Sequence, residues 1–371
     1  MKTFSLYDST SPLGGIYILF MVNRLQMLYF ILIMPLYLVH PYMIWAIVVM
    51  GIFSQLNLML LSRWFASDIS VKGYPGFVQL FGERMVRFFA LMGLLFFIFK
   101  ITVITLGYVE IVHQFMFPTM DRNWLVLFIV LISCYVAAQG MENTIRFIVV
   151  VFLCSVWIII AFIPYFLPPI ASIHDLYPLI PTDWSIHSWK GMLFVWSSLS
   201  GSEYLICLVP WLKPKQQLTK YLTIANTISV VEYLFLFVAS LLFFGSNYLS
   251  KSNYPIVNMI RYLQSPVFER IDIILISVHM FHFVFVISIF LLYFYGAIRV
   301  ILGRLHKQTT RIGYVCSCIT FLGYIIVVNE WFWKAGAQQN TWHELQIWLG
   351  AITYLLVPVL LFTIMKVKGR A

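Results

Sequence analysis

Four ionisable side chains stand deep inside apolar stretches of the chain: Arg24, Lys100, Glu203 and Glu232. Each would cost roughly 2.5 to 3.5 kcal/mol at the centre of a membrane-spanning helix, so all four must pair or face water or a ligand. Two are cations and two are acids, the set that a zwitterion needs for its carboxylate and its ammonium. Glu203 closes the polar run Ser197-Ser198-Leu199-Ser200-Gly201-Ser202-Glu203, and Arg24 lies in Asn23-Arg24-Leu25-Gln26. Both runs interrupt apolar segments. A helix unwound at membrane depth bares N–H and C=O groups, which are tolerated only where a ligand, ion, water or side chain satisfies them. Ser200-Gly201-Ser202 suits such a break, because glycine admits positive φ and serine hydroxyls bond freed backbone. A half-helix starting after Gly201 would aim N–H groups at an anion such as a carboxylate. Glu203, in its first turn, would repel that carboxylate and is assigned to an ammonium or a basic side chain. The expected pairing is Arg24 with Glu203, while Lys100 and Glu232 join them or line an aqueous route.

Other chemistry is less well supported by residue type and spacing. His279 and His282, three apart on one helical face, have no third ligand nearby, so packed imidazoles are expected rather than a metal site. The five cysteines, Cys134, Cys154, Cys207, Cys316 and Cys318, all fall inside apolar stretches, and disulfides are not expected. No phosphate-cradling glycine loop, Walker lysine or nucleophile triad is present. Neither catalytic residues nor a cofactor or metal is expected, and the chain does not read as an enzyme.

The elements that must hold these residues are transmembrane helices. Of 371 residues 61% are hydrophobic and only 10% charged, where a soluble domain carries about 25% charged. Apolar stretches of about 20 residues recur along the whole chain, each long enough to cross a hydrocarbon core about 30 Å thick. Ten are read, near 14–38, 42–61, 85–112, 124–139, 147–167, 189–211, 221–244, 271–302, 312–332 and 345–365. A β-barrel would need alternating strands half that long. The net charge of +10 does not point to nucleic acid, because it sorts by side of the membrane. Sixteen basic residues fall on the side of the two termini and six on the other, which places both termini in the cytoplasm. A cleaved signal peptide is not expected, since Asn23, Arg24 and Gln26 interrupt the first apolar run and no small-x-small site follows it.

Two features recur five spans apart. Spans three and eight are unusually long, and spans one and six are the interrupted ones. Matching interruptions in two halves mark inverted-repeat transporters, whose substrate sits at the bilayer midplane between broken helices. The expected fold is therefore all-α, a single transmembrane domain over 1–371, with one repeat over about 12–168 and the second over about 188–366.

Three stretches resemble the spore germination permease family, the B subunits of nutrient germinant receptors within the amino acid/polyamine/organocation superfamily. Gly140-Met141-Glu142-Asn143-Thr144-Ile145-Arg146 is similar to that family's Gly-x-Glu-x-x-x-Arg turn, and Gly201-Ser202-Glu203 with Pro210 to its broken sixth helix. Tyr254-Pro255-Ile256-Val257-Asn258-Met259-Ile260-Arg261, running on to Phe268-Glu269-Arg270-Ile271-Asp272, is similar to its outer-loop helix and entrance to helix eight. The resemblance implies a ten-helix fold of the leucine-transporter type, residence in the spore inner membrane, and assembly with A and C subunits. It implies binding of a small nutrient, an amino acid, to trigger germination. The implied ligand zone is Gly201, Glu203 and their neighbours facing helices one, three and eight. With the charges above, the set is Asn23, Arg24, Lys100, Ser197, Leu199, Ser200, Gly201, Ser202, Glu203, Glu232 and His282. Asn23-Arg24 stands where a glycine-bearing break is expected in helix one, and Arg24 would there replace backbone contacts to a carboxylate. The alternative reading is a secondary amino acid transporter coupled to protons or sodium, with Glu203 or Glu232 as proton carrier. Fold alone does not separate the two.

Overall fold

Lipid offers no hydrogen bonds, so every span must satisfy its backbone internally, and this chain does so with helices. The computed structural model describes residues 4–8, 12–28, 30–180, 186–213, 218–262, 270–305, 307–336 and 340–368. Span one is two helices, α1 (Gly15–Gln26) and α2 (Phe30–Leu38), which meet at a bend of 49°. Span two is α3 (Met43–Phe65), followed by the short α4 (Asp68–Val71) and α5 (Tyr74–Phe81). Span three is the long α6 (Glu83–Phe115), and span four is α7 (Arg122–Ala138). Span five begins as α8 (Met141–Val156) and tightens into a 3-10 helix at Trp157–Phe166. In span six α9 (Ile186–Ser198) is followed by a second 3-10 helix, Ser202–Trp211. Span seven is α10 (Thr219–Leu249), kinked at Gly245, and a short outer helix α11 (Pro255–Tyr262) follows it. Spans eight, nine and ten are α12 (Ile271–Ile301), α13 (Arg311–Trp331) and α14 (Thr341–Lys368).

Among the described residues eight helices are long and apolar enough to cross a bilayer. The bent pair makes a ninth span, and the 17-residue α7 is the tenth.

The packing repeats after five spans. Span one lies against five and seven, as six lies against ten and two. Span three meets four and ten, as eight meets nine and five. Because five is odd, the second set enters the membrane from the opposite side. Spans three and eight pack along one another, with Tyr108 stacked on Phe283 at 4.1 Å and its hydroxyl donating to the Ile276 carbonyl at 2.8 Å.

Three expectations need correction or restriction. Asn23-Arg24-Leu25-Gln26 do not unwind; they form the last turn of α1, and the helix ends at Met27, where ψ reaches 43°. Polar side chains alone do not break a helix when each finds a partner outside it. The Gly140–Arg146 stretch, expected as a turn between spans four and five, is helical from Met141: Gly140, at φ 91°, precedes the first turns of α8, where Glu142 pairs with Arg146. Phe268 and Glu269 lie outside the described residues.

Candidate functional site

The break in span six forms where the residue types favour it. Leu199, Ser200 and Gly201 leave the helix, and Gly201 adopts φ 141°, a conformation that side-chain-bearing residues rarely take. A Cβ on Gly201 would lie 2.8 Å from the Leu25 Cβ, so the break is seated directly on the end of α1. The two broken spans therefore face each other, and side chains of spans one, seven and eight meet backbone carbonyls freed at the breaks. Gln26 Nε2 donates to the Leu199 carbonyl at 2.9 Å. At the end of α1 the Arg24 carbonyl meets His282 Nε2 at 2.6 Å, and the Gln26 carbonyl accepts the Tyr233 hydroxyl at 2.5 Å. These are carbonyls that a continuing helix would have used. As the carbonyl can only accept, His282 Nε2 carries a proton.

The four buried charges sort into two units rather than one. Arg24 Nη2 pairs with Glu232 Oε1 at 2.7 Å, each side chain only 4% exposed. The rest of the guanidinium is also occupied: Nη1 donates to Ser155 Oγ at 3.0 Å, and Nε and Nη2 donate to Asn23 Oδ1 at 2.9 and 2.6 Å. Asn23 Nδ2 completes the ring by donating to Glu232 Oε2 and Ser229 Oγ, both at 2.9 Å. Phe152 lies 5.2 Å beneath the guanidinium. This unit ties spans one, five and seven together with its charges satisfied, which a buried pair requires if it is not to destabilise the fold.

The expected Arg24–Glu203 pair is thus absent among the described residues. Arg24 is consumed by span seven, one helical neighbour of span one, while Glu203 turns to its own backbone. Glu203 Oε2 accepts the Gly201 N–H at 2.7 Å, so the N–H expected to greet a ligand carboxylate is already capped from within the chain. The other oxygen, Oε1, has no hydrogen-bond partner although the residue is only 4% exposed. Lys100, 2% exposed on α6, is the cation of this second unit. Its Nζ donates to Ser200 Oγ at 3.0 Å and sits 4.7 Å over the Tyr204 ring. Among the described residues no direct ion pair within 4 Å joins Lys100 to Glu203. Two opposite charges therefore flank the span-six break, one with a free acceptor and the other with N–H groups to spare.

Beside this unit four aromatic rings pack together. Phe97 of α6 meets Tyr204 at 5.5 Å and Phe290 and Tyr293 of α12 at 5.7 and 5.5 Å. The Tyr293 hydroxyl is buried without a partner. Sequence spacing did not single out these rings; Tyr204, next to Glu203 in a broken helix, was the available clue. Ser155, alone in the apolar run of span five, was the comparable clue to the Arg24 unit. Of the other expected site residues, Ser197 Oγ donates to the Gln346 carbonyl at 3.4 Å and so faces span ten, and Ser202 is buried just past the break. His279 and His282 have ring centroids 6.4 Å apart.

The described conformation is closed at mid-depth. A cavity of about 30 Å³ lies beside Arg24, Ser155, Glu232 and His279, room for a water molecule and not for an amino acid. A larger groove of about 460 Å³ lies elsewhere, between spans two, six and ten, lined by apolar side chains such as Met50, Phe53, Trp196 and Leu355. Near the C-terminal end of α6, Glu110 accepts the Trp333 indole N–H at 3.0 Å and the Gly336 N–H at 2.7 Å, holding the chain that follows span nine over α6.

Comparison with solved structures gives manganese transporters of Eremococcus coleocola. A mutant transporter aligns with a TM-score of 0.49 at 12% identity, covering 95% of this chain and 80% of its own. The same transporter bound to an aromatic bis-isothiourea compound aligns with a TM-score of 0.45 at 12% identity, covering 97% and 81%. Among curated proteins, the spore germination protein GerQB of Bacillus cereus is 28% identical over 292 residues, 75% of this chain and 76% of the relative. The family profile described as spore germination protein matches residues 41–332, from the start of span two to the end of span nine. A match over that much of a broken-helix, permease-like bundle establishes the family: the chain belongs to the spore germination permeases of the amino acid/polyamine/organocation superfamily.

Proposed function

We propose that the chain is the membrane subunit of a nutrient germinant receptor, which binds an amino acid at mid-depth in the bilayer and thereby triggers germination. Membership of the spore germination family supports the setting. The observation that carries the site is the buried, unpartnered Oε1 of Glu203 beside Lys100 at the break in span six. In this reading the ligand's ammonium donates to Glu203 Oε1 and its carboxylate accepts from Lys100 Nζ. Ser200 and the backbone of Leu199 to Ser202 line the approach, and the rings of Phe97, Tyr204, Phe290 and Tyr293 meet the ligand's side chain. Arg24, Asn23, Glu232 and His282 frame the pocket by fixing span one against spans five, seven and eight.

The signal follows from where the two charges reside. Lys100 belongs to the first repeat and Glu203 to the second, so a zwitterion bridging them favours one arrangement of the repeats over another. The effect is limited to the ligand's differential affinity for those arrangements. The closed conformation must open to admit the ligand, and bridging would then reward reclosure. The receptor setting brings A and C subunits as partners, the spore inner membrane as location, and both termini in the cytoplasm.

A screen of radiolabelled amino acids on the purified chain in lipid discs tests the site. An amino acid retained by the wild type should bind at least tenfold more weakly to Glu203→Gln and to Lys100→Met, the loss expected from one charge-assisted hydrogen bond of about 1.5 to 3 kcal/mol. Equal retention by both variants would sink the assignment.

A further inference from the structure

The two halves of α6 are packed differently. Every residue from Lys100 to Val112 is buried, whereas none from Glu83 to Ile98 is except Phe97. The half-helix shows Met85, Phe88, Leu91, Met92 and Leu95 as exposed, and even its inward side, Val86, Ala90, Gly93 and Leu94, is only half-buried. It stands off from the bundle: a Cβ on Gly93, on that inward side, would find no atom nearer than the Phe97 ring of its own helix at 4.0 Å, so a cleft lies behind it. The opposite wall shows the same gap. Tyr204 of the span-six 3-10 helix still reaches Phe97, but Cys207, one 3-10 turn further and on the same face, is exposed.

The mouth of the cleft is basic. Arg84, Arg87, Arg304 and Lys307 are all exposed there. Arg87 Nη2 lies 2.9 Å from the position of a Cβ on Gly303, which sets the start of α6 against the turn after α12. That turn is held from below. The buried Arg299 guanidinium donates to the carbonyls of Arg304 and Leu305 at 3.2 and 3.1 Å and to that of Lys307, which leaves the basic side chains of residues 304 and 307 on the surface. Glu83, paired with Arg87 at 2.5 Å, is the acid among them.

We propose that this cleft binds one anionic phospholipid. The phosphate sits on Arg84, Arg87, Arg304 and Lys307, and an acyl chain runs along the inward side of α6 over Val86, Ala90 and Gly93 toward Cys207. Val86, Ala90, Gly93 and Phe97 fall at i, i+4, i+7 and i+11, a single apolar stripe that ends at the ring facing Tyr204. Four cations against one carboxylate, at the depth where α6 emerges from the hydrocarbon, select a negatively charged headgroup over a zwitterionic one. The apolar walls below exclude water, and hydrocarbon fills them.

The test uses the full chain in phosphatidylcholine discs doped with phosphatidylglycerol, with retained lipid counted by native mass spectrometry. One phosphatidylglycerol should persist on the wild type. Arg84→Gln/Arg87→Gln/Arg304→Gln/Lys307→Gln should lower that retention by at least about tenfold, while the charge-matched control Arg63→Gln/Lys213→Gln/Lys220→Gln/Lys366→Gln should keep it. Ala90→Trp, which fills the cleft without touching the charges, should also lower retention, and keeps the test decisive if the fourfold variant does not fold. In a Cys316→Ser background, maleimide should label Cys207 more slowly in phosphatidylglycerol discs than in pure phosphatidylcholine. The proposal is overturned if phosphatidylcholine persists equally, if the fourfold variant and Ala90→Trp both keep the lipid, or if the control loses it to the same degree.

Discussion

Which buried cation is coupled to which buried acid can be measured as a set of double-mutant cycles. Arg24→Gln leaves the Glu232 carboxylate, 4% exposed, with Asn23 Nδ2 as its remaining donor at 2.9 Å; Glu232→Gln strands the guanidinium in the same way. Breaking a buried pair from one side costs about 3 to 5 kcal/mol, because an uncompensated charge remains in low dielectric. The double variant replaces two charges by two amides that can bond each other and Asn23, so it should fall short of the summed losses by about 2 to 3 kcal/mol. The same cycle on Arg24 and Glu203 should close to within about 0.5 kcal/mol, as for sites with no shared partner. Unfolding free energies in mixed micelles, followed by tryptophan fluorescence, give the three numbers for each cycle. A coupling between Arg24 and Glu203 as large as that between Arg24 and Glu232 would refute the division of the charges into two units.

Three further outcomes follow from the same geometry. Gly201→Ala places a methyl 2.8 Å from the Leu25 Cβ at φ 141° and should lower stability by about 1 to 3 kcal/mol; Leu25→Ala in the same chain should relieve the contact but not the backbone strain, and full rescue would contradict the conformation described. Gln26→Leu removes the donor to the Leu199 carbonyl and should destabilise by about 1 to 3 kcal/mol, the cost of a stranded buried acceptor; a neutral effect would mean the two breaks are not joined there. Reconstituted alone in liposomes, the chain should not concentrate a bound amino acid under a proton or sodium gradient. Saturable, gradient-driven accumulation would favour the transporter reading instead.

The spans were legible because hydrocarbon thickness and helical rise leave little freedom, and the sixth-span break because Ser200-Gly201 combines conformational license with local hydrogen bonding. The first-span break was misplaced by a few residues for an instructive reason. Asn23, Arg24 and Gln26 looked like an interruption, yet their side chains reach spans five, six and seven while their backbone stays helical; the unwinding falls at Met27, in apolar sequence with no signal of its own. The charge pairing was misjudged for a similar reason. Depth along a helix can be read from residue number, but azimuth cannot be inferred without knowing which spans are neighbours, and Arg24 points to span seven. The aromatic group around Tyr204 was hidden because the sequence carries 33 phenylalanines and 21 tyrosines, so a ring at mid-span is no signal by itself.

The most direct test uses spores whose only spore germination permease is this chain, with the dose response to the best-inducing amino acid recorded for wild type, Glu203→Gln and Lys100→Met at matched protein levels. A zwitterion clasped between an unfilled carboxylate oxygen and a neighbouring ammonium predicts that half-maximal concentration rises at least tenfold in each variant, and that analogues lacking either the amine or the acid are inactive on the wild type. Superimposable curves for all three spores, or full potency of an analogue missing one of its charges, would contradict it.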